Sequence, residues 1–322
     1  MGNINLLSDR EAMGLTEQYD SSSFEVLSKQ LSKIISVDTS ELIAILESSE
    51  HESKMRFTAG TLLSFLGDPR INCMEPLMMD INGGACEIGI SFDDAERVAE
   101  EFASCGVKKE WIFKECPSFV VNIDSFKMAK YCITNSEYLC FLKDTKYNKF
   151  PSSWDLGVYP LHKANHPVYS LSSDDAELYC KWLSNKTGRK FRLPTEYEWE
   201  YAAGGPRHLV YPWGNNYLPD RANTIEERIF STTPVGMYSS GNSYFGVSDM
   251  AGNVEEYTSS VYTPYPNGTY IEDDLTKSQG SYRVARGGSF TRFRDLARST
   301  RRHGFYNKNI YVMGFRLVEQ LF

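Results

Sequence analysis

The sequence predicts an α+β fold, rich in loops, with a helical N-terminal extension. Two observations carry that expectation. Up to about residue 74 the apolar residues recur close to a period of 3.6, whereas from Glu75 they fall into short runs punctuated by glycine and proline. Aromatic residues make up 13% of the chain, and its 23 glycines and 13 prolines are spread rather than clustered, which suits irregular packing around flat side chains. At 322 residues and 41% hydrophobic content, the chain can hold one large domain or two modest ones. The expected division is a helical region over 1–74 and a mixed unit over 75–322.

The elements follow in order. Phe24, Val26, Leu27, Leu31, Ile34 and Ile35 mark a helix over Ser21–Val37. Asp38, Thr39 and Ser40 offer N-cap oxygens to a second helix, which begins at Glu41. A third runs from Met55 to Leu66 and is stopped by Gly67 and Pro69. Residues 57–69 resemble one helical HEAT-type repeat, and a lone repeat cannot bury its own face, so it is expected to dock on the rest of the chain. Beyond residue 75, Pro76–Ile90 reads as a hairpin turning at Gly83-Gly84, followed by a helix over Asp93–Glu101 and strands over Val120–Ile123 and Phe126–Ile133. Helices are expected over Ser136–Lys143, over Ala176–Lys186 behind a Ser172–Asp175 cap, and from Thr195, where Thr195 and Glu198 form a capping box. Loops and short strands fill the remainder beyond Gly204.

Composition excludes several classes. A net charge of −8 argues against general nucleic-acid binding. The polar N-terminus lacks the apolar centre of a signal peptide, and no run of 18 apolar residues suits a membrane span. Leu6 breaks the myristoylation pattern begun by Met1-Gly2. Seven cysteines match no zinc spacing and are read as reduced thiols of a cytoplasmic protein.

Within that acidic chain lies a basic stretch. Between Arg283 and His303 there are seven arginines (283, 286, 292, 294, 298, 301, 302) against one acid, Asp295. Such a stretch can grip carboxylates or phosphates, and a small anionic molecule is the expected partner. Arg292, Arg294 and Arg301 are the candidate ligand-binding arginines, with His303 beside them and Trp213 available to stack on a ring. His162 and His166 are four apart, a spacing that can serve a metal on a helix, although Pro167 disfavours helix there. Glu196, Glu198 and Glu200 invite a catalytic reading, but acids two apart on a helix point about 200° away from each other, so a structural role is expected.

The ordered pieces Arg192–Ala203 (RLPTEYEWEYAA), Tyr211–Asn215 (YPWGN), Ala222–Thr224, Thr233–Gly236, Met250–Tyr257 (MAGNVEEY), Arg286–Phe290 (RGGSF) and Gly314–Val318 (GFRLV) together resemble the formylglycine-generating-enzyme and sulfatase-modifying-factor superfamily. The resemblance covers roughly residues 77–320 and implies a variant of the C-type lectin fold. In the enzymes of that family, two cysteines placed three and eight residues after the serine of Gly-Gly-Ser bind copper. Counting from Ser289, those positions hold Arg292 and Ala297, and no cysteine lies beyond Cys180, so formylglycine generation is not expected. The resemblance implies structural calcium at Asn223 and Thr224, and at Asn253, Val254 and Glu256 of the family's GNVWE pattern; the alternative is that these side chains cap turns without metal. The layout is also similar to the branch found with toxoflavin (azapteridine) biosynthesis. This implies a metal-dependent oxidative tailoring enzyme acting on a small anionic heterocycle, with iron or copper at histidines such as His303, His162 or His166. The rival is a non-catalytic ligand-binding or display module of the same fold, whose binding face would include Asn307, Asn309 and Tyr311.

Overall fold

A computed structural model describes residues 3–16, 18 and 27–321. Phe24 and Val26 of the first expected helix lie outside the described residues. The chain opens with a 3-10 turn (Ile4–Leu6) and a short helix α1 (Asp9–Ala12), whose capping box pairs Ser8 with Glu11. Helices α2 (Ser28–Ile34), α3 (Thr39–Glu47) and α4 (Ser53–Leu66) follow, and Asp38 caps α3 by accepting from the Glu41 amide. These helices do not bury their apolar faces alone. Leu42, Leu46, Ala59 and Leu63 share a core with Ile229, Met237 and Tyr238 from the body of the chain. Polar ties reinforce the dock: Arg56 reaches Asp220 and the Met237 carbonyl, and Ser64 reaches Asn165.

The body begins with β1 (Met78–Ile81) and β2 (Gly84–Ile88). They do not form the expected hairpin. β1 pairs with β4 (Phe126–Ala129), and β2 pairs with β3 (Phe119–Ile123). Gly83 lets the chain step from one sheet to the other over the β3–β4 turn, where a Cβ would stand 2.1 Å from the Ile123 carbonyl. Between β2 and β3 lie α5 (Phe92–Glu101) and α6 (Lys109–Phe113), the second without an apolar period long enough to read in advance. β4 ends four residues earlier than expected, because from Lys130 the backbone turns toward the Thr134 cap of α7 (Asn135–Thr145).

Helices α8 (Ser173–Thr187) and α9 (Glu196–Gly204) flank the short β5 (Phe191–Arg192); α9 carries the expected capping box, and the expected Ser172–Asp175 cap of α8 is a capping box as well. A third sheet is built from β6 (Glu255–Val261), β7 (Arg283–Arg286) and β8 (Met313–Gly314), with the short helix α10 (Asp274–Gln279) inserted before β7. The last strand, β9 (Val318–Glu319), returns to the first sheet between β4 and β5. The main core packs Phe141, Tyr179, Trp182 and Phe315 in edge-to-face and tilted contacts, with Tyr138 stacked on Tyr179, the flat packing that the aromatic content foreshadowed.

Candidate functional site

β6 carries two adjacent acids, Glu255 and Glu256, and alternation along a strand sends them to opposite faces. Glu256 meets Arg316 in a fork of 2.5 and 2.6 Å and accepts from the Trp199 indole at 2.8 Å. Glu255 meets His303, whose Nδ1 lies 2.5 Å from its carboxylate. An antiparallel bridge between Ala285 and His303 holds the imidazole beside β7. Tyr311 stacks on His303 with ring centres 5.2 Å apart, and the Arg292 guanidinium lies 4.8 Å from the Tyr311 ring centre. Arg292 Nη2 stands 3.3 Å from His303 Nε2. Since arginine only donates, His303 accepts at Nε2 and donates from Nδ1 to Glu255. Burial pushes the imidazole pKa down to about 4 against the opposing pull of Glu255, so it is neutral near pH 7.

The basic stretch is not an open positive surface. Each of its arginines faces an acid, mostly brought from elsewhere in the chain. Arg298 forks onto Glu115 at 2.7 and 2.9 Å, and Arg302 onto Glu196 at 2.8 and 2.9 Å. Arg286 bridges Glu196 at 3.1 Å and Glu200 at 2.9 Å. Arg283 meets Glu177, and Arg294 lies 3.7 Å from Glu226. Arg301 sits 3.7 Å from Asp295 and 3.9 Å from Glu115, and Arg292 sits 3.9 Å from Glu255. Five of these side chains are almost wholly buried: Arg286, Arg292, Arg298, Arg301 and Arg302. The expectation of free guanidinium groups is therefore corrected: the charge excess in sequence is an internal ion-pair core. Glu196, Glu198 and Glu200 hold arginines and caps, the structural role expected of them.

The other predicted residues scatter. Arg294 is partly exposed and lies with Tyr217 and Phe102 rather than with Arg292. Trp213 stacks on Tyr211 and donates to the Asn216 carbonyl, so its ring is engaged by its own loop rather than facing a ligand cleft. Ala297, at the second copper-cysteine position, is packed with Tyr211, Ala222 and Ala251. His162 is exposed on a 3-10 turn, whereas His166 is buried against Thr232 and Phe57, so the two do not share a face.

The side chains of the calcium-type residues are largely engaged by neighbouring loops, and Asn223 Oδ1 among them is buried without a partner. Both oxygens of Glu256 are taken by Arg316 and Trp199. The Asn253 carbonyl oxygen accepts from the Thr233 amide at 3.0 Å and its amide donates to the Thr233 carbonyl, while Asn223 donates to the Ser231 carbonyl. The Thr224 hydroxyl is paired with Tyr217, and Val254 is buried among apolar groups. These are loop ties without a free carboxylate. For iron and copper, both His303 nitrogens are engaged, and among the described residues no group of three His, Cys, Asp or Glu side chains gathers to hold a metal. All seven cysteines are free.

What the structure does open is a cleft of about 540 Å³ beside this stack. Tyr311 forms part of its wall, with Tyr138, Tyr257, Phe150 and Phe305, and Lys149, Lys308, Asn307, Asn309 and Asp175 supply polar groups. Tyr311 also lines a second, much smaller space of about 10 Å³, together with Arg292, His303, Lys114 and Asp273. Burial lowers the Lys114 pKa to about 8 despite its salt bridge to Asp273 at 2.5 Å. Sequence reasoning singled out Tyr311, Asn307 and Asn309 as a binding face but missed Lys149, Lys308 and Glu255. Glu255 carried a signal: it stands where the GNVWE pattern has tryptophan.

This fold and its motifs place the chain in a known class. The sulfatase-modifying factor enzyme 1-like domain matches residues 67–321, and the chain belongs to that family. It is similar to the formylglycine-generating enzyme of Mus musculus, 29% identical over 246 residues that cover 58% of this chain and 64% of that protein. It is also similar to the hercynine oxygenase of Mycobacterium tuberculosis, 30% identical over 210 residues covering 55% and 48% of the two chains. The chain thus spans less than two thirds of the length of these relatives. Among solved structures it shares the fold of PvdO from Pseudomonas aeruginosa, with a TM-score of 0.59, 22% identity and coverage of 77% and 95%. No helix among the described residues is long and apolar enough to cross a membrane.

Proposed function

We propose that the chain binds a small anionic heterocycle in the Tyr311 cleft and acts on it as an oxidative tailoring enzyme of its family. The observation that carries the binding half is the cleft itself: an aromatic wall suited to a flat ring, with Lys149 and Lys308 among the residues that line it. The anion is gripped by these lysines rather than by arginines already paired with acids. The oxidative half is supported by similarity to hercynine oxygenase. An azapteridine of the toxoflavin type has the required shape and polarity. Formylglycine generation is not proposed, because Arg292 and Ala297 occupy the thiol positions. A cytoplasmic setting agrees with seven unbridged cysteines.

A second reading, a non-catalytic ligand-binding module, is favoured by one observation: His303 has no free nitrogen for a metal. One set of measurements separates the two. Purified protein is assayed for iron and copper, titrated with azapteridines and phosphorylated pyrimidines, and followed for oxygen uptake. Metal near one equivalent with ligand-dependent uptake supports the enzyme; binding without uptake supports the module. Lys149→Glu should weaken anion binding about tenfold, the scale of one charge-assisted contact. Unchanged affinity in that variant would place the ligand elsewhere.

A further inference from the structure

The N-terminal segment touches the proposed site at several points, around Tyr311 and the small space that it lines. Asn5 Oδ1 accepts from the Tyr311 hydroxyl at 2.5 Å. Asn3 and Asn5 each donate a side-chain amide to Asp274, at 2.8 and 3.3 Å. The Lys308 ammonium donates to the Leu7 carbonyl, and the Asn309 amide donates to Asp9 at 3.0 Å. Ile4, 7% exposed, and Ala12, 1% exposed, are set in the main core with Trp111 and Tyr311. Ile4 and Asn5 line the cavity that also holds Arg292, His303 and Lys114.

The groups beneath this segment are poorly satisfied for so buried a place. Nε and Nη1 of Arg292 lack hydrogen-bond partners although the side chain is almost fully buried, and its ion pair with Glu255 Oε1 is loose at 3.9 Å. Unmade hydrogen bonds of this kind are costly, and a polar ligand edge would satisfy them. The segment is held by hydrogen bonds at its polar edge and by a few apolar anchors, Ile4 and Ala12 among them; so short a segment can open locally without unfolding the body.

We propose that Asn3–Met13 is a strap that closes the cavity holding Arg292, His303 and Lys114, and that its release joins this cavity to the Tyr311 cleft as one ligand site. The proposal rests on the cleft being the ligand site, but the closure can be tested without any ligand. Lys308 and Asn309 serve both the cleft and the strap, so a ligand that engages them competes directly with the strap's hold on the body.

The test is labelling with diethyl pyrocarbonate, read peptide by peptide at His303 and Lys114, with exposed His162 as the internal standard. In the unaltered chain, both cavity residues should label far more slowly than His162. Asn309→Asp places a carboxylate opposite Asp9 at the rim and leaves the core alone. It should raise labelling of both cavity residues about fivefold, the scale of one lost hydrogen bond. The double variant Ile4→Ala/Asn5→Ala should raise it further. Leu6→Ala, at a side chain 80% exposed, should change nothing. The strap is overturned if His303 and Lys114 already label at the His162 rate in the unaltered chain, or if neither gains label in Asn309→Asp. Failure of azapteridine binding with the labelling pattern intact would instead count against the cleft as ligand site.

Discussion

Glu137 and His303 titrate in overlapping windows and act on stability in opposite directions. Glu137 closes the capping box of α7, accepting from the Thr134 amide at 2.8 Å and hydroxyl at 2.7 Å. Burial nevertheless raises its pKa to about 7. The folded chain therefore holds a proton that the unfolded chain has released, so this contribution is complete below about pH 4.5 and is lost as pH rises through 7. His303 is the reverse. Its folded value of about 4 lies below the ordinary 6.5, so its contribution is complete above 6.5 and is lost as pH falls through 4. Relative to the unaltered chain, Glu137→Gln should gain stability progressively as pH rises from 4.5 to 7, whereas His303→Gln should lose it progressively as pH rises from 4 to 6.5. Urea titrations at half-unit pH steps would show it, and parallel profiles for the two variants would refute both assignments.

At the scale of elements, α4 is positioned by a glycine that helix propensity alone would remove. Replacing an interior helical glycine by alanine ordinarily gains up to about 1 kcal/mol. At Gly60, however, a Cβ would stand 2.4 Å from Pro234 Cγ and 2.6 Å from Pro234 Cβ, and a proline ring cannot swing aside. The overpacking cost of about 1–3 kcal/mol exceeds the propensity gain. Gly60→Ala should therefore lower the thermal midpoint and loosen the α3–α4 dock, seen as faster amide exchange in those helices. A midpoint that rises would show that the loop carrying Pro234 yields. The same pattern marks what could be read from the sequence. Helices with local caps, at Asp38, Thr134, Ser172 and Thr195, were legible because the cap and the period lie within a few residues of each other. The pairing of β1 with β4 and of β2 with β3 was not, since two glycines in a row look like a turn whether they bend a hairpin or pass under a neighbouring backbone.

Over the whole molecule, the C-terminal arginines act as cross-links whose partners lie far away in sequence. Arg298 reaches Glu115, 183 residues earlier, and Arg302 reaches Glu196, 106 residues earlier. This is why the site was only partly legible. A local count of charge sees seven arginines and one acid; only the fold reveals the acids that neutralise them, and only the fold leaves Lys149 and Lys308 beside an aromatic wall. The pairs also set how the molecule fails. Glu115 is wholly buried and is held by Arg298 at 2.7 and 2.9 Å and by Thr300 at 2.7 Å. Arg298→Met would strand that carboxylate without its fork, at a cost of about 3–5 kcal/mol. Glu115→Gln/Arg298→Met removes the charge as well as its partner and should recover most of the loss, because a buried pair gives little net gain once desolvation is counted. The double-mutant cycle is read by equilibrium unfolding. A double variant as unstable as Arg298→Met alone would mean that the guanidinium matters here for its packing and not for the acid it holds.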